Sequence, residues 1–321
     1  MTMPTTSRPI RIGISGCLLG EKVRYDTGHK KDQFVTETLS NYFEWVSVCP
    51  ELEVGMGVPR EAVRLVQAHG TVSMVGVKSG DDWTDRMNRF SVQRVKALQP
   101  LDLSGFILKS KSPSCGMERV RYYADSGMPS SNGPGLFARA LMEEYPHLPV
   151  EEEGRLNDPH LRENFIERVF CYHRLQNMWQ EGFSRDALVR FHTAHKYLLM
   201  AHSNRHYQEL GRLVANMTKV RPAKLQEEYT AHFMGGLLVK ATVKKHVNVL
   251  QHIFGYFSDK IAAEERKDIL ATIDDYHKEL VPLIVPITLF RHFVNKLNIS
   301  YIQGQVYLNP HPKEMMLRNR V

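Results

Sequence analysis

Long apolar runs are missing from these 321 residues. None approaches the ~18 apolar residues that a membrane-spanning helix needs, so no membrane partner is expected. The N-terminal stretch Met1-Thr-Met-Pro-Thr-Thr-Ser-Arg8 has no apolar core and does not read as a signal peptide. Cysteine is scarce. Four thiols in a chain this long make no disulfide scaffold. In the cytoplasm, the expected location, they stay reduced and free for metal or catalysis. No two of them stand in the close Cys-x2–4-Cys pairing of a structural zinc site. Internal repeats and low-complexity segments are also absent. The remainder, 42% hydrophobic and 24% charged, suits a folded globular chain, and the length is comfortable for two domains.

Acidic residues are thin in one region. Between Gly182 and Val249 eleven Lys/Arg face four acids, a surplus of seven that equals the net charge of the whole chain, +7. Such a concentration suits an anionic polymer, or else a solvated helix face.

The first half alternates strand and helix signals. Strands are expected over 10–16, 45–48, 62–66, 72–77, 105–109 and 148–150. Helices are expected over 31–42, 83–98 and 136–144. This order implies an α/β, Rossmann-like domain with a mostly parallel sheet and helices on both faces. The domain is expected to cover residues 8–155. From Asp158-Pro159, a helix cap followed by a first-turn proline, only helical periodicity is seen. Helices are expected over 159–181, 184–200, 203–217, 222–238, 242–257, 262–280 and 283–297. Residues 156–321 therefore read as an all-α domain, with an extended arm and a short helical turn as its tail.

Three cysteines follow candidate strands. Cys17 follows Ile12-Gly-Ile-Ser-Gly, Cys49 follows Trp45-Val-Ser-Val, and Cys115 sits in the loop Lys111-Ser-Pro-Ser-Cys-Gly116. Proline ends any regular element there. Ligands of parallel sheets bind beyond the carboxyl ends of the strands, so topology would gather the three thiols. Four chemistries remain open on spacing alone. They are a zinc site, a nucleophilic cysteine with a base, three inert buried thiols, and an iron–sulfur cluster with one open iron. Cys171, amid apolar residues in a helix, reads as a small buried thiol.

The motifs then carry a resemblance. Ser15-Gly-Cys17-Leu-Leu-Gly20-Glu-Lys-Val-Arg24-Tyr25-Asp26, Cys49-Pro50-Glu51, Val58-Pro59-Arg60 and Lys111–Gly116 resemble the thiouracil desulfidase (TudS) family. The helical half resembles the YbgA type at His192-Thr-Ala-His195-Lys196, Asn248-Val-Leu-Gln-His252 and Tyr307-Leu-Asn-Pro-His-Pro312. The fusion resembles desulfidases that convert 4-thiouridine in tRNA to uridine. The resemblance implies a [4Fe–4S] cluster on Cys17, Cys49 and Cys115 with one open iron. It implies catalytic roles for Glu51 and for Ser112 rather than Ser114, and hydrolysis without net electron transfer. The alternatives are a desulfidase of free thiolated nucleobases and a non-catalytic iron–sulfur protein that binds RNA or senses redox state.

Arg24, Tyr25 and Arg60 are candidates to bind base or phosphate; Arg24 and Arg60, with Asp26, could instead brace their loops. Tyr25 is placed to stack on an extruded base, or to pack in its loop. Lys219, Arg221, Lys224, Lys240, Lys244 and Lys245 are the expected phosphate contacts to tRNA. No protein partner can be inferred. Twelve of the fifteen histidines lie in the helical half. His192, His195, His202 and His206 read first as RNA contacts, then as a polar core network. A zinc site comes last, with no acid or cysteine completing it locally.

Overall fold

Main-chain donors and acceptors at strand ends shape the part of this molecule that matters for chemistry. In the computed structural model, residues 8–68, 70–124, 126–180 and 183–320 are described, and the N-terminal reading of Met1–Ser7 lies outside them. The chain divides into two compact units, Arg8–Leu161 and a second taken up from Arg162. The division falls near the start of a helix, slightly later than residue 155.

The first unit contains β1 (Arg11–Ser15), β2 (Glu44–Val48), β3 (Val63–Ala68), β4 (Thr71–Gly76), α1 (Thr84–Leu98), β5 (Gly105–Leu108), β6 (Val120–Tyr123), β7 (Pro129–Gly133), α2 (Leu136–Glu144) and β8 (Val150–Glu152). One sheet has the order β2-β1-β5-β8, and each of its pairings is parallel. Ile12, Ile14, Phe106, Ile107 and Leu108 are fully buried in it, as parallel strands covered on both faces require.

The remaining strands do not extend that sheet. They form a second one, β4-β3-β6-β7, in which β3 runs antiparallel to β4 and parallel to β6, and β6 runs antiparallel to β7. Its small core joins Leu65, Met74, Met87, Val120, Tyr122 and Leu136. The strands β6 and β7 were not expected. Pro129-Ser-Ser-Asn-Gly133 is polar and largely exposed, so no apolar alternation marks it. The helix expected over 31–42 is broken into irregular turns, Phe34–Thr38 and Leu39–Asn41. There Ser40 Oγ donates to Val35 O and Asn41 Nδ2 to Glu37 O, side-chain bonds that compete with a regular helix.

The second unit is helical: α3 (Pro159–Gln180), α4 (Arg185–His202), α5 (Asn204–Ala215), α6 (Pro222–Leu238), α7 (Val243–Phe254), α8 (Ala263–His277), α9 (Ile284–Lys296) and α10 (Ser300–Gln303). Ser184, Ser203 and Thr242 accept from the first-turn N–H groups of α4, α5 and α7, which fixes where those helices begin. One apolar core runs through the helices. The tail is not an extended arm. Tyr307, Leu308, Met315 and Leu317 are buried, and Arg318 pairs with Glu163 and Glu167. Among the described residues no helix is long and apolar enough to cross a membrane.

Candidate active site

Neighbouring strands bring the thiols together. The strands β2, β1 and β5 lie side by side and point the same way. Cys49 follows β2 directly, Cys17 lies in the turn Gly16–Leu19 after β1, and Cys115 lies in the loop after β5. All three line one cavity of about 330 Å³. No disulfide joins them, and Cys17 and Cys115 are buried.

The loop of Cys115 is built on the main chain. Lys111 adopts a left-handed backbone, φ 60°, which turns the chain away from β5. Ser112 O accepts from Gly116 N at 2.8 Å, and Ser112 Oγ accepts from Cys115 N at 3.1 Å. The carbonyls of Pro113 and Ser114 then accept from Leu136, Phe137 and Ala138 at 3.0–3.1 Å. These are first-turn donors of α2, which have no partner inside their own helix. The approach requires Gly135, because a Cβ there would lie 2.5 Å from Ser114 O.

Glu51, two residues after Cys49, also lines the cavity. Its Oε2 accepts from Arg60 Nη2 at 2.7 Å and Nε at 3.2 Å. Its Oε1 accepts from Ser114 Oγ at 2.7 Å and faces Ser112 Oγ at 3.4 Å, while the two serine hydroxyls lie 3.0 Å apart. Ser114 is buried and Ser112 half-buried. Both hydroxyls therefore reach the carboxylate. Ser114 makes the shorter bond; both serines line the cavity, and Ser112 is the less buried of the two.

Burial raises all three thiol pKa values. Cys17 is pushed up to about 11 by burial and then by Cys49, and Cys49 and Cys115 are raised first by burial. As free thiols they are poor nucleophiles at neutral pH. A cation bound among them would deprotonate them, so the donor set fits a thiophilic metal centre. Cys171 belongs to the core of the second unit, its pKa raised to about 12 by burial.

Several side chains take different positions from those expected. The Arg60 guanidinium is only 6% exposed and is spent on Glu51, Val23 O and Gly57 O; it braces two loops and has no face left for phosphate. Arg24 pairs with Asp26 and lies over the Tyr25 ring, 5.3 Å from its centroid. Tyr25 itself is exposed and lines the cavity. Lys245 Nζ donates to His202 O and Lys240 O, capping the end of α4. Lys219, Arg221, Lys224, Lys240 and Lys244 are exposed; Lys224 also pairs with Glu228.

His195 and His202 belong to the polar core rather than to a surface. His195 is fully buried and donates to Phe191 O from Nδ1, and His202 bonds Val239 O and Glu167. His192 faces the Tyr229 hydroxyl. Lys109 was not expected. It lines the cavity at the end of β5 and is held by Glu153 and Ser110, a positive charge that draws the Cys17 pKa down against burial. Its place just past a strand end is the signal that could have flagged it.

The geometry defines a class, an α/β domain whose strand-end cavity presents three thiols and a carboxylate, joined to an all-α domain. Comparison narrows the class. The family model described as 2-thiouracil desulfurase matches residues 12–153, and that of DUF1722, described as a protein of unknown function, matches residues 196–312. YbgA of Escherichia coli (strain K12) is 30% identical over 153 residues, 47% of this chain and 90% of that protein. YbbK of Bacillus subtilis (strain 168) is 29% identical over 151 residues, 45% of this chain and 97% of that protein. A solved structure described as the [4Fe–4S]-dependent thiouracil desulfidase TudS is 25% identical, covers 46% of this chain and 94% of its own, and has a TM-score of 0.37. The chain belongs to the YbgA-like family, and its first domain is a 2-thiouracil desulfurase-type domain by its match over residues 12–153. It is an enzyme of the thiouracil desulfidase class.

Proposed function

We propose that this desulfidase acts on 4-thiouridine in tRNA, in the cytoplasm, and releases uridine and sulfide. The observation that carries the chemistry is the convergence of Cys17, Cys49, Cys115 and Glu51 on one cavity. The three thiolates would hold a [4Fe–4S] cluster. When bound, it supplies one open, Lewis-acidic iron to the substrate's thiocarbonyl sulfur.

The remaining work falls to this chain's own side chains. Arg60 fixes Glu51 through Oε2 and leaves Oε1 aimed at the serine pair. Glu51 takes a proton from water as the oxygen attacks the carbon that carries sulfur. A new carbon–oxygen bond forms and the carbon–sulfur bond breaks; the proton on Glu51 and the water's second proton, passed on through the serines as the carbonyl forms, leave with the sulfur as hydrogen sulfide. No electrons are transferred. Ser112, the less buried of the two serines, orients the water, and Ser114 passes the proton between Ser112 and Glu51 along contacts of 3.0 and 2.7 Å. Tyr25 offers an exposed ring at the cavity for the extruded base.

The tRNA assignment draws its support from the exposed cations Lys219, Arg221, Lys224, Lys240 and Lys244 in the helical domain. Incubation of anaerobically reconstituted protein with thiolated tRNA and, separately, with free 4-thiouracil tests it. Loss of 4-thiouridine from tRNA with release of sulfide is the expected result. Turnover of the free base alone would make the substrate a small molecule, and turnover of neither would remove the desulfidase reading.

A further inference from the structure

Two antiparallel turns of the helical domain hold a second group of ligating side chains, far in sequence from any cysteine of the cavity. His206 and Glu209 stand three residues apart on α5, and His232 stands on α6. One donor atom of each lies within 4.8 Å of the other two. We propose that His206, Glu209 and His232 form a binding site for a divalent cation of the zinc type.

The surroundings prepare each donor. Ser203 Oγ lies 2.8 Å from His206 Nδ1. With that nitrogen protonated and donating to the hydroxyl, Nε2 is left with its lone pair. A fixed tautomer of this kind is what an outer-shell partner gives a metal-binding histidine. Arg205 Nε donates to Glu209 Oε1 at 2.8 Å, which turns Oε2 inward. Oε2 is buried, and among the described residues no hydrogen-bond donor is aimed at it. His232 Nδ1 nevertheless lies 3.3 Å away. Zinc arms of roughly 2.0–2.1 Å in a tetrahedron set neighbouring ligands about 3.3 Å apart. A nitrogen and a carboxylate oxygen at that separation, without a hydrogen bond between them, match two corners of such a site. Gly236 lets the two helices approach, since a Cβ there would stand 3.0 Å from His206 Cβ.

Two imidazoles and one carboxylate suit zinc and its transition-metal neighbours rather than calcium or magnesium. Three protein ligands leave a fourth position for water. The cation would tie α5 to α6. A second acid–histidine group among the described residues, Glu163, Glu167 and His311, already has its cation in Arg318.

Zinc binding to the full chain tests the site without any reading of desulfidase activity. The chain carrying its iron–sulfur cluster is titrated with Zn²⁺ against a chromogenic chelator. The same titration is run on the full chain with Cys17→Ala, Cys49→Ala and Cys115→Ala, so that no cavity thiol can take the metal. One equivalent is expected in both. His206→Gln and His232→Gln should each weaken binding at least a hundredfold, and Glu209→Gln at least tenfold. Absence of zinc in both proteins would overturn the site. So would unchanged affinity in the two histidine variants, each first shown by circular dichroism and cooperative unfolding to be folded. Should a histidine variant fail to fold, Glu209→Gln decides by the same criterion.

Discussion

Glu51 has two oxygens that answer to different neighbours. Arg60 holds one and the serine pair the other, so removing the charge should stop proton transfer and leave the cavity standing. Glu51→Gln is expected to keep the iron content of the reconstituted protein and lose about 10²–10⁴-fold in turnover. Retained turnover would take Glu51 out of the chemistry. Arg60→Lys keeps the charge but has no fork to span Glu51, Val23 O and Gly57 O. It should lower kcat at least tenfold with little change in KM, read by steady-state kinetics, if Arg60 positions Glu51 and does not touch substrate. At this scale the sequence was informative where chain direction decides the outcome. The thiols of Cys17, Cys49 and Cys115 follow strands, and strand direction delivers them to one end. It was silent where a side chain's partner is distant. The ammonium of Lys245 counts as one more positive charge in a sequence, yet it is bonded to two carbonyls. Glu209, three residues from His206, is a local acid that the sequence reading of these histidines did not count, and His232 arrives only through the packing of α6 on α5.

Helices and strands differed in how legible they were. Periodicity and capping residues marked α3 to α9 because each carries an apolar stripe and many begin at a serine, threonine or proline. The strand β7 carries no apolar alternation, and β6 carries it over only four residues, at Val120 and Tyr122; both were missed. Two predictions belong to the helices. Lys245→Met removes an ammonium from the end of α4, which should lower the stability of the helical unit by about 1–2 kcal/mol in urea unfolding; unchanged stability would return Lys245 to the surface. His195, stacked on Phe191 with ring centroids 4.0 Å apart, is held neutral by burial, its pKa lowered to about 3. Between about pH 6.5 and pH 3 the unfolded chain takes a proton that folded His195 refuses, so stability falls as pH falls. From pH 7 to pH 5 this histidine accounts for about 2 kcal/mol of the loss. His195→Phe should reduce the acid-induced loss by that amount, measured by urea midpoints at the two pH values, and an identical pH dependence in the variant would disprove the assignment.

The whole molecule joins a small chemical cavity to a domain with a surplus of positive charge. If the exposed cations of the helical domain meet tRNA phosphates, affinity must fall steeply with salt. Each contact removed should flatten the slope of log K against log salt by about 1. Lys224→Gln and Lys244→Gln are expected to do so additively in filter-binding or anisotropy titrations, and a slope unaffected by both would move the RNA surface elsewhere. The charge surplus was legible from composition, whereas its division between free and occupied cations was not, because composition holds no geometry.

One arrangement bears on how freely this site can change. The α2 helix takes its first-turn acceptors from the carbonyls of Pro113 and Ser114, atoms that every amino acid possesses. Its start therefore asks nothing of the hydroxyls beside Cys115. Substituting Ser114 alters proton handling while the scaffold keeps its joint, provided that Gly135 stays; Ser112 is different, because its hydroxyl also accepts from Cys115 N. At Ser114 reactivity and architecture are inherited from different atoms of one residue, the hydroxyl and the carbonyl, so new substrates could be explored there without renegotiating the fold.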